Sequence, residues 1–388
     1  MKYYIISGEA SGDLHGSNLV KQLHLLDAEA NIRCWGGDLM QAAGATLVKH
    51  YRDLSFMGFA EVVKNLPTIL QNIRFCKQDI LSFQPDTLVL IDYPGFNLRI
   101  AEWAKQQGFK VIYYISPQVW AWKANRVKKM KQCIDKMLCI LPFEKNYYHD
   151  TWNWNVDYVG HPLVEVIEAK RAEPTPAPLN LSNTQNSPLT THDSRLTSHA
   201  SPLIALLPGS RKQEIQKKLP IMLQVARSFP QYRFVVAQAP GLDDVFYAPF
   251  LAAYQNVSAI RNQTYDLLLQ SRAALVTSGT ATLETALFGV PEVVCYKGSN
   301  ISYQIAKRLI RIKYISLVNL IMDKPVVTEL IQNELTPENL VKELDSLLHD
   351  TKRQAQLQQD YRALKELLSA GGHASAQAAR IIVDYIRK

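Results

Sequence analysis

Apolar residues in the first half of the chain gather in short runs, at 3–6, 31–35, 87–91, 110–115, 137–140 and 156–159, most of them unbroken apart from a leading polar residue. Each run ends in a polar or glycine-bearing turn. Unbroken rather than alternating apolar residues indicate strands covered on both faces, and the stretches between them (12–26, 97–107 and 126–132) carry helical spacing. The pattern predicts βαβ units and a mostly parallel sheet. The same grammar resumes at 203–207, 234–237, 273–276 and 292–295, with helices at 212–228 and 280–288. The tail reads as one long helix over 340–368, a break at Gly371 and Gly372, and a second helix over 374–386.

Between 169 and 202 the periodicity vanishes into a segment rich in Pro, Ser, Thr and Asn. Such a stretch buries too little apolar surface to offset its ordering entropy, so it reads as a linker or extruded loop. A chain of 388 residues also exceeds what one hydrophobic core usually serves. The expected organisation is an α/β domain over 1–169, a linker over 170–202, a second α/β domain over 203–368, and a terminal helix over 369–388 that returns to the first domain. Two Rossmann-like domains facing a central cleft are the expected architecture, with ligands beyond the carboxyl ends of the strands.

Composition narrows the partners. The first residues read as a buried strand rather than a signal peptide, and no apolar run reaches the roughly 18 residues of a membrane span. Five scattered cysteines without Cys-x-x-Cys spacing read as reduced core residues of a cytosolic protein. A formal charge of +8 admits nucleic acid, an anionic membrane or a phosphorylated small molecule. Nucleic acid is disfavoured, because there is no helix-turn-helix, RNP-like or zinc-finger signature and the motifs sit at strand ends. Lys123, Arg126, Lys128, Lys129 and Lys131 follow Trp120 and Trp122. That pairing reads either as a solvated helix face or as contact with an apolar, anionic partner. Residues 54–75 add a dense apolar run that suits a buried helix or an acyl-chain surface equally.

The candidate chemistry lies in the turns. Glu9 and Asp13 stand in the glycine-rich loop after the first strand, as cleft-lining carboxylates or as a loop brace and a helix cap. Asp92 follows four apolar residues directly, where a general base would be partly dehydrated on a rigid element, or where a carboxylate pins a loop. Asn97 is placed to cap the following helix. Ser116, Gln118 and Trp120 end the parallel unit. In the second half, Gly209, Ser210 and Arg211 bring backbone amides, a hydroxyl and a guanidinium to one helix start, an arrangement suited to a diphosphate. Ser278, Gly279 and Thr280 repeat it, and Glu284, one turn inside, is either a ribose contact or an ordinary first-turn acid. Asn319 and Gln332 are candidate base or phosphate contacts. No metal-ligand spacing occurs among the histidines, so neither metal nor cofactor is expected.

SGEASGDLHG from Ser7, MGFAEVVKNLP from Met57, DYPGFN from Asp92, SPQVWAWK from Ser116, LPFEKNYY from Leu141, YVGHPL from Tyr158, LLPGSRKQEI from Leu206, TSGTATLE from Thr277 and SLVNLI from Ser316 fall in order along nearly the whole chain. Together they resemble the lipid-A-disaccharide synthase family of inverting, metal-independent GT-B glycosyltransferases. The resemblance implies transfer of 2,3-diacylglucosamine from UDP-2,3-diacylglucosamine to the 6-hydroxyl of 2,3-diacylglucosamine 1-phosphate, with UDP released. It implies Asp92 as the base, with Glu9 and Asp13 beside it. Arg211 would lie at the donor phosphates, Glu284 near the ribose and Asn319 in the donor-side segment. Residues 57–66 would form an acyl-chain and membrane-docking surface, placing the enzyme peripherally on the cytoplasmic face of the inner membrane. Both a monomer and a homodimer fit the resemblance. The polar stretch after Ala169 is longer than the family's connection. Rival readings are a GT-B enzyme with another lipid acceptor and a UDP-sugar epimerase.

Overall fold

The computed structural model describes residues 1–54, 66–174, 176–177, 179, 201–298 and 313–388. The apolar segment 57–66, apart from the start of a helix at Leu66, and most of the polar stretch 170–202 lie outside them. By internal contacts the chain divides into one unit of residues 1–165 with 367–388 and another of 166–366. The divisions fall inside the helices Pro162–Ala172 and Thr351–Ser369, where the sequence placed them after 169 and after 368.

The first unit holds strands β1 (Lys2–Ser7), β2 (Asn31–Gly36), β3 (Thr46–His50), β4 (Thr87–Ile91), β5 (Val111–Tyr114), β6 (Lys136–Cys139) and β7 (Asp157–Tyr158). They form a parallel sheet in the order β3-β2-β1-β4-β5-β6-β7. Alternate residues feed two separate cores: Tyr4, Ile6, Leu88, Leu90 and Tyr113 on one face, and Tyr3, Ile5, Val89, Ile91 and Tyr114 on the other. A strand with a core on each side has no polar face, which is why these runs are unbroken in the sequence. The order reverses between β1 and β4, and the crevice beyond their carboxyl ends is where such sheets bind ligands.

The second unit repeats the plan with β8 (Leu203–Leu207), β9 (Arg233–Gln238), β10 (Val257–Arg261), β11 (Ser271–Thr277), β12 (Glu292–Tyr296) and β13 (Thr328–Ile331), in the parallel order β10-β9-β8-β11-β12-β13. Its reversal lies between β8 and β11. Strands β3, β10 and β13 were not expected from the sequence.

The tail is a correction. In place of one helix over 340–368 the chain forms Pro337–His349 and Thr351–Ser369, split at Asp350. Asp350 Oδ1 accepts the Lys352 and Arg353 amides, so an N-cap starts a new helix there. The helix Ala374–Arg387 then packs Ala378, Ala379, Ile382 and Val383 against Leu19, Val20 and Leu23 of the first unit. The double glycine is needed for more than a break. A Cβ on Gly371 would lie 2.2 Å from the Gly160 nitrogen, so the returning chain touches the end of β7 backbone to backbone. Tyr158 Oη donates to the Leu367 and Leu368 carbonyls beside it.

Candidate functional site

In the first unit the register sets Ser7 beside Ile91, so the Glu9 loop and Asp92 leave neighbouring strand ends at the reversal point. Asp92 and Tyr93 both take left-handed backbone, φ 43° and 47°, which strains non-glycine residues by about 1–3 kcal/mol each. The surroundings hold the turn. The Asp92 amide donates to the Tyr114 carbonyl, and the Asp92 carbonyl accepts from Tyr113 Oη and from Asn97 Nδ2 at 2.8 Å. Asn97 is therefore not the helix cap the sequence suggested. The helix begins at Pro94, and the Asn97 amide instead ties Ile6, Ile91 and Asp92 together. Burial pushes the Asp92 carboxyl up to about 6, the nearby Glu9 charge adds to the rise, and a bond from the Tyr93 amide opposes it. Such a carboxylate is ionised at neutral pH yet more basic than an ordinary aspartate. Glu9 itself is exposed.

Asp13 is placed differently. Its carboxylate accepts the amides of Gly37 (2.8 Å), Leu39 (3.1 Å) and Met40 (3.1 Å), capping the short helix Asp38–Ala42 rather than its own. Both oxygens accept backbone amides and the side chain is buried, so it braces the turn before that helix.

Ser116, Gln118 and Trp120 follow β5. Ser116 is buried with its Oγ 2.6 Å from Tyr148 Oη, Gln118 is exposed, and half-buried Trp120 donates its Nε1 to Glu144 Oε1 at 3.2 Å. Glu144, which the sequence reading did not single out, is 1% exposed. Its Oε2 accepts the Leu141 amide, and burial pushes its carboxyl up to about 8 against the pull of its donors. Ile115, ahead of this loop, sits at φ 66°, an unusual state for a β-branched residue. Trp122 is 50% exposed, with Lys123 Nζ 3.9 Å above its ring.

In the second unit the two expected turns meet. Gly209, Ser210 and Arg211 after β8, Thr277 at the end of β11, and Ser278, Gly279, Thr280 and Glu284 after it, line one cavity of about 360 Å³. Gln238, Ala239 and Pro240 from the end of β9 complete part of its wall. Gly209 has φ 122°, a region that disfavours any side chain, and a Cβ there would lie 2.9 Å from Glu214 Oε2. The Thr277 hydroxyl is buried without a hydrogen-bond partner. Arg211 is 65% exposed, and its Nη1 stands 3.6 Å from Glu214 Oε1, too long to fix the guanidinium. Glu284 is pushed up to about 7 by burial, against the bond from the Tyr265 hydroxyl. Amides at helix starts, an exposed guanidinium and the unpaired Thr277 hydroxyl make a receptor for an anion.

Asn319 and Gln332 both hydrogen-bond within their own unit. Asn319, 1% exposed, exchanges two bonds with Val327 and donates to Glu329 Oε1, each at 2.9 Å. Glu329 also accepts the Ile315 and Ser316 amides, and Ser278 Oγ donates to the Ile315 carbonyl at 2.9 Å. Asn319 thus supports the segment that touches the cavity wall. Gln332 Oε1 accepts the Gly298 amide. Their partners, the Val327 backbone and Glu329 side chain for Asn319 and the Gly298 amide for Gln332, lie 8 to 34 residues away and are invisible in sequence. Among the described residues no three His, Cys, Asp or Glu side chains gather in a metal-holding group.

Comparison with known proteins adds to this geometry. The family model described as lipid-A-disaccharide synthetase matches residues 3–383. The chain is similar to the lipid-A-disaccharide synthase of Geobacter metallireducens, 37% identical over 99% of this chain and 97% of that one. It is also similar to those of Trichlorobacter lovleyi, 35% identical with the same coverage, and of an Anaeromyxobacter species, 38% identical over 96% and 94%. Among solved structures it resembles the glycotransferase of kitacinnamycin (TM-score 0.65, 13% identical, 99% of each chain). It also resembles the UDP-GlcNAc 2-epimerase of Neisseria meningitidis bound to UDP-GlcNAc (TM-score 0.64, 14% identical, all of each chain). Likeness at that identity speaks for the shared two-domain fold alone.

Proposed function

The chain belongs to the lipid-A-disaccharide synthase family, inverting glycosyltransferases of the GT-B type, and we propose that it joins 2,3-diacylglucosamine from UDP-2,3-diacylglucosamine to the 6-hydroxyl of 2,3-diacylglucosamine 1-phosphate. The second unit holds the donor. Its diphosphate lies against the Gly209–Arg211 turn and the start of the helix Thr280–Leu287, and Glu284 takes the ribose hydroxyls. The first unit works on the acceptor. Asp92 takes the proton of the 6-hydroxyl as that oxygen bonds to the anomeric carbon, and the bond from that carbon to the diphosphate breaks on the opposite side. Inversion gives a β-1,6 disaccharide 1-phosphate. The negative charge that develops on the leaving diphosphate is met by Arg211 and the backbone amides, which need little reorganisation to receive it.

One observation carries this assignment: Asp92 sits at the reversal point of its sheet, in a strained turn held by three hydrogen bonds, with a carboxyl raised to about 6. The test is a split between two variants. Asp92→Asn should lose turnover while binding UDP as the parent does, and Arg211→Ala should weaken UDP binding itself. Near-normal turnover of the Asp92 variant would remove that residue from its role.

We place the enzyme peripherally on the cytoplasmic face of the inner membrane, where both substrates' acyl chains lie. The exposed Trp122, the lysines that follow it, and exposed Leu70 and Phe75 on the helix Leu66–Phe83 support this reading. No helix among the described residues is long and apolar enough to cross a bilayer.

A further inference from the structure

The wall of the second unit's cavity contains a charge that diphosphate binding alone does not explain. Glu214, in the first turn of the helix Lys212–Val225, lines the cavity beside Gly209. A carboxylate there repels an anion and competes for Arg211. One helical turn further on is Lys218, 3% exposed, with its Nζ 3.8 Å from Glu214 Oε2. Among the described residues Glu214 is its only ion-pair partner. The other titratable groups facing it are Arg211, of like charge, and Cys295, whose thiol burial pushes up to about 12 and so leaves neutral. A buried ammonium is costly where leucine or methionine would pack, so its position calls for a reason.

We propose that Lys218 is a positioning residue for the donor site. It neutralises Glu214 from the buried side and draws that carboxylate off Arg211, leaving the guanidinium to the diphosphate of a nucleoside diphosphate sugar. The inference rests on the donor-site assignment above. The three residues form a line of alternating charge, Lys218, Glu214, Arg211, in which the inner pair stays and the outer pair opens when the anion arrives. Because Lys218 acts through Glu214, its effect belongs to the phosphates and not to the nucleoside.

The experiment titrates UDP by calorimetry and uridine by ligand-observed NMR into the full-length protein. The variants are Lys218→Met, Lys218→Arg, Glu214→Gln and the Lys218→Met/Glu214→Gln double. Failure of the parent protein to bind UDP would overturn the donor-site assignment itself. Given parent binding, Lys218→Met should bind UDP about tenfold more weakly with uridine unchanged, as expected for an unbalanced charge at a binding site. Lys218→Arg should stay near the parent, and the double variant should recover to within about threefold of it. Unchanged UDP affinity in Lys218→Met, an equal loss for uridine, or a double variant no better than the single would each overturn the proposal. If Lys218→Met does not fold, the Glu214→Gln background carries the test. There the lysine substitution should change UDP affinity by less than about threefold, and a further loss of about tenfold overturns the proposal.

Discussion

The Asp13 carboxylate accepts the Gly37 amide at 2.8 Å and, through the same oxygen, the Met40 amide at 3.1 Å. A residue that resembles part of a catalytic cluster in sequence is, in the fold, the cap of a neighbouring helix. Asp13→Ala should therefore cost about 2 kcal/mol of stability, since it strands several buried amides. Asp13→Asn, which keeps one acceptor oxygen, should recover part of that loss. Chemical denaturation of both variants measures the difference, and turnover should follow the folded fraction.

Asp92 should behave in the opposite way. Turnover per KM should rise with pH and level off with an apparent pKa near 6, the point at which the carboxyl ionises. Asp92→Asn should lower turnover by at least about 100-fold. The linkage to stability has a definite sign. Burial raises the folded-state pKa above the ordinary 3.8, so the protonated form is favoured by folding, and stability present below the ordinary value is lost as pH rises through about 6. Asn cannot ionise. The variant should melt higher than the parent at about pH 8, and that advantage should vanish by about pH 4.

Gly209→Ala tests the donor turn. The new Cβ would meet Glu214 Oε2 at 2.9 Å and the backbone would be held at φ 122°. The expected result is a loss of UDP affinity of at least about tenfold, with a stability cost of about 1–2 kcal/mol. Calorimetry with UDP, alongside thermal melting, separates the two effects.

Trp122 tests the membrane surface. Trp122→Ala should reduce co-sedimentation with vesicles containing anionic lipid, because the exposed indole suits a boundary with one apolar and one wet side. Raising salt from about 50 mM to about 500 mM should weaken binding further to the extent that the lysines contribute.

The central strands of both sheets were legible because residues such as Ile5, Val89, Leu206 and Val276 are buried on either face and leave continuous apolar runs. The edge strands β3, β10 and β13 were not. Residues of β3 such as Lys49 and His50 are only half-buried, and mixed polarity in a short strand hides its period. Asp92 and Arg211 stood out because a strand end is a position the sequence displays directly. Glu144 and Lys218 did not, since a buried acid or lysine within helical spacing looks like a solvated one until Trp120 or Glu214 is placed against it. The same limit applies to Asn319, whose role depends on Val327 and Glu329.

The most direct test of the central claim is product analysis by mass spectrometry. The purified protein is incubated with UDP-2,3-diacylglucosamine and 2,3-diacylglucosamine 1-phosphate, and the lipid products and free UDP are measured together. The predicted result is a tetra-acylated disaccharide 1-phosphate formed one for one with UDP by the parent protein and absent with Asp92→Asn. A folded parent protein that binds UDP yet forms no disaccharide, or that alters the donor without joining it to the acceptor, would contradict the account.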